Sequence, residues 1–274
     1  MAVSLRAATK NVIKDKDFLS KYFVLVILSF IVGLTFFASY AKNYALLIPS
    51  SALAMIASII MCGYDFKYMG VLIQDKDANL PEWDNWGTLL TTGLKFFGAI
   101  FLLAFAIIAV TLAAAILAGL TSIFSKTVAL ALLIAIGIIN IIICICLLMA
   151  TPALIYNFID TDYNLLSVFN FKKLCGYLSI NYFSAYFIGL FIAVIISIFA
   201  SATTIRAEYV LLYIIPLLIA PFVRMINDNL LIQAYTANKN SEKGSFAKLA
   251  LYFILFAVMG LIWIITCFYL GKFA

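Results

Sequence analysis

The chain has 274 residues, of which 66% are hydrophobic and 11% are charged, and its formal net charge is +6. Ordinary soluble domains carry roughly 25% charged residues, so this composition excludes a soluble globular protein and predicts an all-α integral membrane protein. The chain has no histidine and no cysteine pair spaced C-x-x-C, which argues against a zinc site and a disulfide framework. A basic excess in such a chain orients loops against anionic lipid, so we expect no nucleic-acid partner.

The first polar segment covers residues 1–21. Leu5, Ala8 and Val12 fall on one helical face, whereas the lysines and aspartates from Lys10 to Asp17 fall on the others. This pattern predicts an N-terminal amphipathic helix that lies on the membrane surface.

Seven apolar runs follow, and most approach the roughly 20 residues with which a helix crosses a bilayer. They cover residues 22–40, 44–64, 96–117, 128–150, 182–200, 209–223 and 249–270. The sixth run has only 15 residues before Arg224 and contains Pro216 and Pro221. We therefore expect seven transmembrane helices, the sixth of them short and broken.

The distribution of basic residues predicts the orientation. Fourteen of the 18 lysine and arginine residues fall on one side of the membrane if the N-terminus and the connections on its side are cytoplasmic. Short cytoplasmic loops are enriched in these residues. We therefore expect a protein integral to the cell membrane, with the N-terminus cytoplasmic and the C-terminus outside.

The densest polar signature is residues 80–95, LPEWDNWGTLLTTGLK. We predict a surface helix here with Pro81 in its first turn, Glu82 and Asp84 near the positive end of its dipole, and Trp83 and Trp86 at headgroup level. Such a helix is either an interface anchor or a site for lipid headgroups or a protein partner. The residues predicted for that site are Glu82, Trp83, Asp84, Asn85, Trp86, Lys95, Lys172 and Lys173.

The chain also shows a coarse internal repeat, in which a surface helix precedes a transmembrane hairpin. Residues 1–21 precede the hairpin 22–64, the unit 80–150 combines both parts, and the unit 167–223 begins with a third surface helix capped by Ser167. The segments Gly70-Val-Leu-Ile-Gln74 and Asn229-Leu-Leu-Ile-Gln233 are similar to each other. We predict a single polytopic domain, 1–274, with a lone last span at 249–270.

The string LPEWDNWG, followed by Gly93-Leu-Lys95, resembles the signature of a prokaryotic multi-pass family known as domain of unknown function 4013. The resemblance extends over most of the chain, and its specific part is about sixteen residues. It implies an integral-membrane location and no assigned activity.

Few polar residues fall near the spans. Asn140 lies deep in the fourth run, and we expect either a helix-to-helix hydrogen bond or a contact with cargo. Arg224 and Asp228, beside Asn227, follow the sixth run and form either an i,i+4 ion pair or the polar lining of a pathway. No charged residue lies deep in any predicted span, so we expect no coupled pump.

The sequence contains no phosphate-binding glycine loop, no G-x-S-x-G motif and no carboxylate pair outside the surface loops, so we expect neither an enzyme nor a cofactor. The first hypothesis is a non-catalytic scaffold or accessory subunit. Its cytoplasmic surface helices would engage lipid headgroups, a membrane or cytoplasmic protein, or a second copy of the chain. The alternative is an uncoupled permease or lipid-translocating protein for neutral or amphiphilic cargo.

Overall fold

A computed structural model of the chain describes residues 3–170, 177, 179, 181–192 and 213–239. The described residues form helices and connecting turns and contain no strand, which confirms the all-α class. The helices are α1 Leu5–Ile13, α2 Phe18–Tyr40, α3 Tyr44–Gln74, α4 Trp86–Thr121, α5 Lys126–Asp160, a 3-10 helix Leu165–Phe169, α6 Asn181–Ile192 and α7 Ile214–Lys239. The predicted last span, 249–270, and Lys172 and Lys173 lie outside the described residues.

Four of these helices are long and apolar enough to cross a membrane, which is consistent with a membrane protein. They are Phe18–Ser39, Tyr44–Gln74, Trp86–Thr121 and Ile214–Ala237. Helix α5 overlaps the predicted run 128–150, and the shorter apolar helix α6 overlaps the predicted run 182–200. The count of seven spans and the orientation stay predictions.

The chain divides into two compact units, residues 1–93 with 176–274 and residues 94–175. In the first unit, Ser4 caps α1 by accepting from the Ala7 N–H, and α1 packs on α7. Ala8 and Val12 are completely buried. The predicted single helix over 1–21 is wrong, because α1 ends at Ile13 and α2 starts only at Phe18.

Helices α2 and α3 form a hairpin joined by a short turn, and α7 packs against both. The side chain of Asn43 caps α3 by accepting from the Leu46 N–H. The core of this unit is formed by fully buried side chains of the three helices, including Leu25, Tyr64, Met69 and Leu230.

Two glycines let the backbones of α3 and α4 touch. A Cβ atom at Gly63 would lie 1.9 Å from the Leu89 carbonyl oxygen, and one at Gly93 would lie 2.0 Å from the Ile59 carbonyl oxygen. Each helix thus places a glycine against the backbone of the other, four residues from its own contact carbonyl. This close approach explains why a glycine follows the tryptophan-rich part of the signature at position 93.

The expectation that the sixth span breaks and ends at Val223 is wrong. Helix α7 continues through Pro221 to Lys239, so the polar residues from Arg224 onward lie inside it. Proline removes one backbone hydrogen bond, and neighbouring groups can compensate. The carbonyl that Pro221 leaves without its helical donor is that of Leu217. The hydroxyl of Tyr22 donates to the next carbonyl, that of Leu218.

The second unit contains most of α4, with α5 and the 3-10 helix. Asn140 on α5 accepts a hydrogen bond from Thr111 Oγ1 on α4 at 2.7 Å, which is the helix-to-helix contact that the sequence left open. The cap of the 3-10 helix is Asn164, which accepts from the Leu166 N–H, rather than Ser167, which lies within the helix. The rest of the predicted third surface helix falls largely outside the described residues.

Candidate functional site

Residues 78–85, here called the signature loop, are not helical. Side chains of α2 and α3 donate to three consecutive loop carbonyls: Lys21 Nζ to Leu80 at 2.8 Å, Tyr64 Oη to Pro81 at 3.0 Å, and Lys67 Nζ to Glu82 at 3.0 Å. A helix that began at Pro81 would need these oxygens for its own first turn. The predicted start is therefore wrong, and α4 begins at Trp86.

The ammonium of Lys21 joins the loop to the turn between α1 and α2. Its three N–H groups meet Leu80 O at 2.8 Å, Asp15 Oδ2 at 3.1 Å and Glu82 Oε1 at 2.7 Å. Asp15 Oδ2 also accepts from the Leu80 N–H at 2.8 Å. Lys21 and Asp15 are buried, so this ion pair has all the partners that a buried charge requires.

Trp83 is part of the internal packing of the loop. Its Nε1 donates to the Lys21 carbonyl at 3.1 Å, and its ring stacks on Tyr64 with centroids 4.0 Å apart. Trp86 stacks on the other indole at 5.3 Å and stays 44% exposed. Of the two tryptophans, Trp86 is thus the one that presents a large exposed surface.

The remaining signature residues start α4. The carboxylate of Asp84 pairs with Lys67, and this hydrogen bond holds the pKa of that carboxyl below its ordinary value. Asn85 has a left-handed backbone with φ 49°, and its carbonyl accepts from the Thr88 N–H at 2.8 Å. The loop acids predicted to bind an outside partner are thus engaged within the chain, whereas Lys95 is exposed.

A second cluster lies between α3 and α7. The guanidinium of Arg224 on α7 forms an ion pair with Asp65 on α3. Asp228, one turn further along α7, is 5% exposed, and its Oδ2 has no hydrogen-bond partner among the described residues. We call Asp65, Arg224 and Asp228 the ionic cluster.

The ionic cluster corrects one expectation, because the ion pair of Arg224 is with Asp65 and not with Asp228. The two helices that carry these charges are long and apolar enough to span a membrane. The sequence did not reveal Asp65 as the partner of Arg224, because the predicted apolar run ends at Tyr64, whereas α3 continues to Gln74. A signal was present, since Asp65 and Arg224 precede the two similar five-residue segments by the same distance.

A chain of polar contacts leads from the buried part of α3 and α7 to α1. Asn229 Nδ2 donates to Tyr68 Oη at 3.4 Å, and Gln233 Nε2 donates to Asn229 Oδ1 at 2.9 Å. The Ser4 N–H donates to Gln233 Oε1 at 2.9 Å. These contacts hold the N-terminus of α1 on α7.

Asn229 and Gln233 also line a cleft of about 390 Å³. Its walls come from α1, the end of α3 and the last turns of α7, and its other polar lining residues are Ser4, Asn11, Lys76, Asp77 and Thr236. Asn11 Nδ2 donates to the Lys76 carbonyl at 2.9 Å, which ties α1 to α3 beside the cleft. The arrangement can hold a small polar group by hydrogen bonds.

The structure brings three of the four predicted pathway residues together on α7. Asn227, next to Asp228, approaches α6 so closely that a Cβ atom at Gly189 would lie 2.0 Å from its Oδ1. The fourth, Asn140, belongs to the second unit. Among the described residues, no group of three histidine, cysteine or acidic side chains is placed to hold a metal ion.

Comparison with known proteins places the chain in a family. No curated protein and no solved structure matches it. One family model covers residues 46–205, more than half of the chain and including the signature loop, Gly63, Gly93 and Asp65. The chain therefore belongs to the family described as Protein of unknown function (DUF4013).

Proposed function

We propose that the chain is a non-enzymatic membrane permease whose neutral or amphiphilic cargo enters at the cleft between α1, α3 and α7. The observation that supports this most is the continuity of polar groups from the cleft, through Gln233 and Asn229, to Tyr68 within α3. Buried polar side chains between apolar helices are costly and often mark a pathway.

The chemistry of the cleft favours uncharged polar groups. Its lining offers amides, hydroxyls and backbone groups, together with one positive and one negative side chain, Lys76 and Asp77, which leave it without net charge. Asp77 also forms an exposed ion pair with Lys14. An amphiphile can place its headgroup in such a cleft while its apolar part stays in the bilayer. This geometry suits a lipid-like molecule or a small neutral solute better than a bare ion, which needs a fully compensated site.

The test is reconstitution of the purified protein into liposomes, followed by measurement of fluorescent-lipid translocation and of efflux of a small neutral solute without an ion gradient. Thr236→Trp places a bulky ring in the cleft without touching the ionic cluster. Val110→Trp, at a 69% exposed position of α4, is the matched control. We expect the wild type and the control to be active and Thr236→Trp to be severalfold slower. Lipid translocation and solute efflux that are no faster in liposomes with the wild-type protein than in empty liposomes would contradict the proposal.

A scaffold role is the second candidate, and the outer face of α1 favours it. Leu5 and Ile13 are 43% and 53% exposed there, beside the exposed Arg6 and Lys10. Apolar and basic side chains side by side suit contact with anionic lipid. Native mass spectrometry in mild detergent tests this role. Retained anionic lipid or a protein partner that is lost on Arg6→Glu with Lys10→Glu would support it, and a bare monomer would count against it.

A further inference from the structure

The ionic cluster contains two carboxylates and one guanidinium. Asp65 is buried and forms an ion pair with Arg224, so the only positive charge of the cluster already has a partner. With both acids ionised, the cluster would carry one excess negative charge away from water. An ionised carboxylate without a partner is strongly disfavoured in such surroundings.

Among the described residues, the groups that interact electrostatically with Asp228 do not supply the missing positive charge. They are Cys62, Asp65 and Tyr68 on α3 and Arg224 on its own helix. The first three are neutral or negative, and the guanidinium is shared with Asp65. Two neighbouring carboxyl groups do not both ionise easily, because the two negative charges repel each other.

The geometry also decides which cation restores neutrality. Metal cations such as Ca²⁺ and Mg²⁺ need several oxygen ligands around one point. Asp228 Oδ2 has no hydrogen-bonding atom in reach among the described residues, and Asp65 Oδ2 already accepts a hydrogen bond from Arg224. A proton needs a single oxygen.

We propose that the Asp65 and Asp228 carboxylates form a proton-binding site that holds one proton while α3 and α7 are packed together. The proton belongs to the pair, because Arg224 can neutralise either acid but not both. Separation of the two helices would expose the acids to water and release the proton. The site therefore couples the contact between α3 and α7 to proton binding, whatever cargo the protein carries.

Infrared spectroscopy of the purified full-length protein tests the proposal. In a detergent without ester groups, a protonated carboxyl gives a C=O stretching band separate from those of carboxylates and amides. We expect this band in the wild type at neutral pH and expect Asp228→Asn to abolish it, since Asp65 then has Arg224 to itself. Asp65→Asn should abolish it as well, because Arg224 is then free to pair with Asp228 one turn away.

Asp15→Asn is the matched control, because Asp15 is equally buried but is paired with its own lysine. This variant should keep the band. In the wild type the band should also disappear as the pH is raised, which tests the proposal without any variant. A wild-type spectrum that is identical to that of Asp228→Asn and unchanged with pH would overturn it. The spectrum reports the proton alone, so its outcome is independent of any transport activity.

Discussion

Asp65 and Arg224 form an ion pair although 159 positions separate them in the chain. Asp65 lies nine residues before Gln74, and Arg224 lies nine residues before Gln233. These glutamines end the two similar segments, so the paired charges stand at the same distance from each segment. The contact between α3 and α7 thus joins matching positions of the two similar segments, with opposite charges at those positions.

The two partners of this ion pair should not be equally costly to remove. Arg224→Gln leaves two buried acids without a cation, whereas Asp65→Asn leaves Arg224 able to pair with Asp228. Removal of one partner from a partly buried ion pair lowers the free energy of unfolding by about 2–4 kcal/mol, which is more than for a surface pair and less than for a fully buried one. We expect Arg224→Gln to cost this much and Asp65→Asn clearly less, in unfolding experiments in detergent. Equal costs would contradict the assigned pairing.

The glycine contacts between α3 and α4 give a second prediction. Gly63→Ala and Gly93→Ala place a methyl group 1.9 Å and 2.0 Å from a backbone oxygen, respectively, so the helices must move apart. Overpacking of this kind costs about 1–3 kcal/mol. Gly87→Ala is the control, because nothing lies within 4 Å of a Cβ atom there and alanine favours a helix. Thermal unfolding should separate the two variants from the control, and a similar melting temperature for all three would refute the close approach.

Lys21 should be far more important for stability than Glu82, although the two form an ion pair. Lys21→Met leaves Asp15 buried without a cation and should destabilise the protein by about 3–5 kcal/mol. Glu82 is 69% exposed at its side chain, so Glu82→Gln should cost less than about 1 kcal/mol. Chemical unfolding of both variants measures the difference. A large loss on Glu82→Gln would mean that the exposed acid, rather than Asp15, holds the lysine.

The signature loop also shows what the sequence was able to predict and what it was not. Local patterns correctly indicated helices over the apolar runs that the structure describes, because helical periodicity is a local property. They did not indicate that Ala8 and Val12, predicted to face the membrane, are buried where α1 packs on α7. The start of α4 was mispredicted because side chains from α2 and α3, distant in sequence, occupy the carbonyls of residues 80–82. The pairing of Arg224 with Asp65 was missed for the same reason. Contacts between residues distant in sequence determine both the start of α4 and this ion pair.

Acid should weaken the attachment of the signature loop at Asp84. The pKa of this carboxyl is lowered by its hydrogen bond from Lys67, so the folded state prefers the ionised form. Its contribution is complete above the ordinary value of 3.8 and is lost as the pH falls through the lower pKa of the folded state. We expect Asp84→Asn to flatten the decrease in unfolding temperature below about pH 4. Because Asp84 is exposed the effect is small, and an unchanged acid profile would argue against this pairing.

The last prediction concerns the attachment of α1 beside the cleft. The Ser4 N–H donates to Gln233, so Gln233→Leu should free the start of α1 from α7. The substitution also removes the contacts of Gln233 Nε2 with Ser4 O and Asn229 Oδ1. Each hydrogen bond is worth about 1 kcal/mol, so we expect local opening to become at least roughly fivefold faster. Hydrogen–deuterium exchange measured by mass spectrometry should therefore speed up over residues 5–13. Thr9→Ala is the control, because its hydroxyl bonds only to Leu5 within α1. If both variants exchange at the wild-type rate, the contact between Ser4 and Gln233 does not hold α1 on α7.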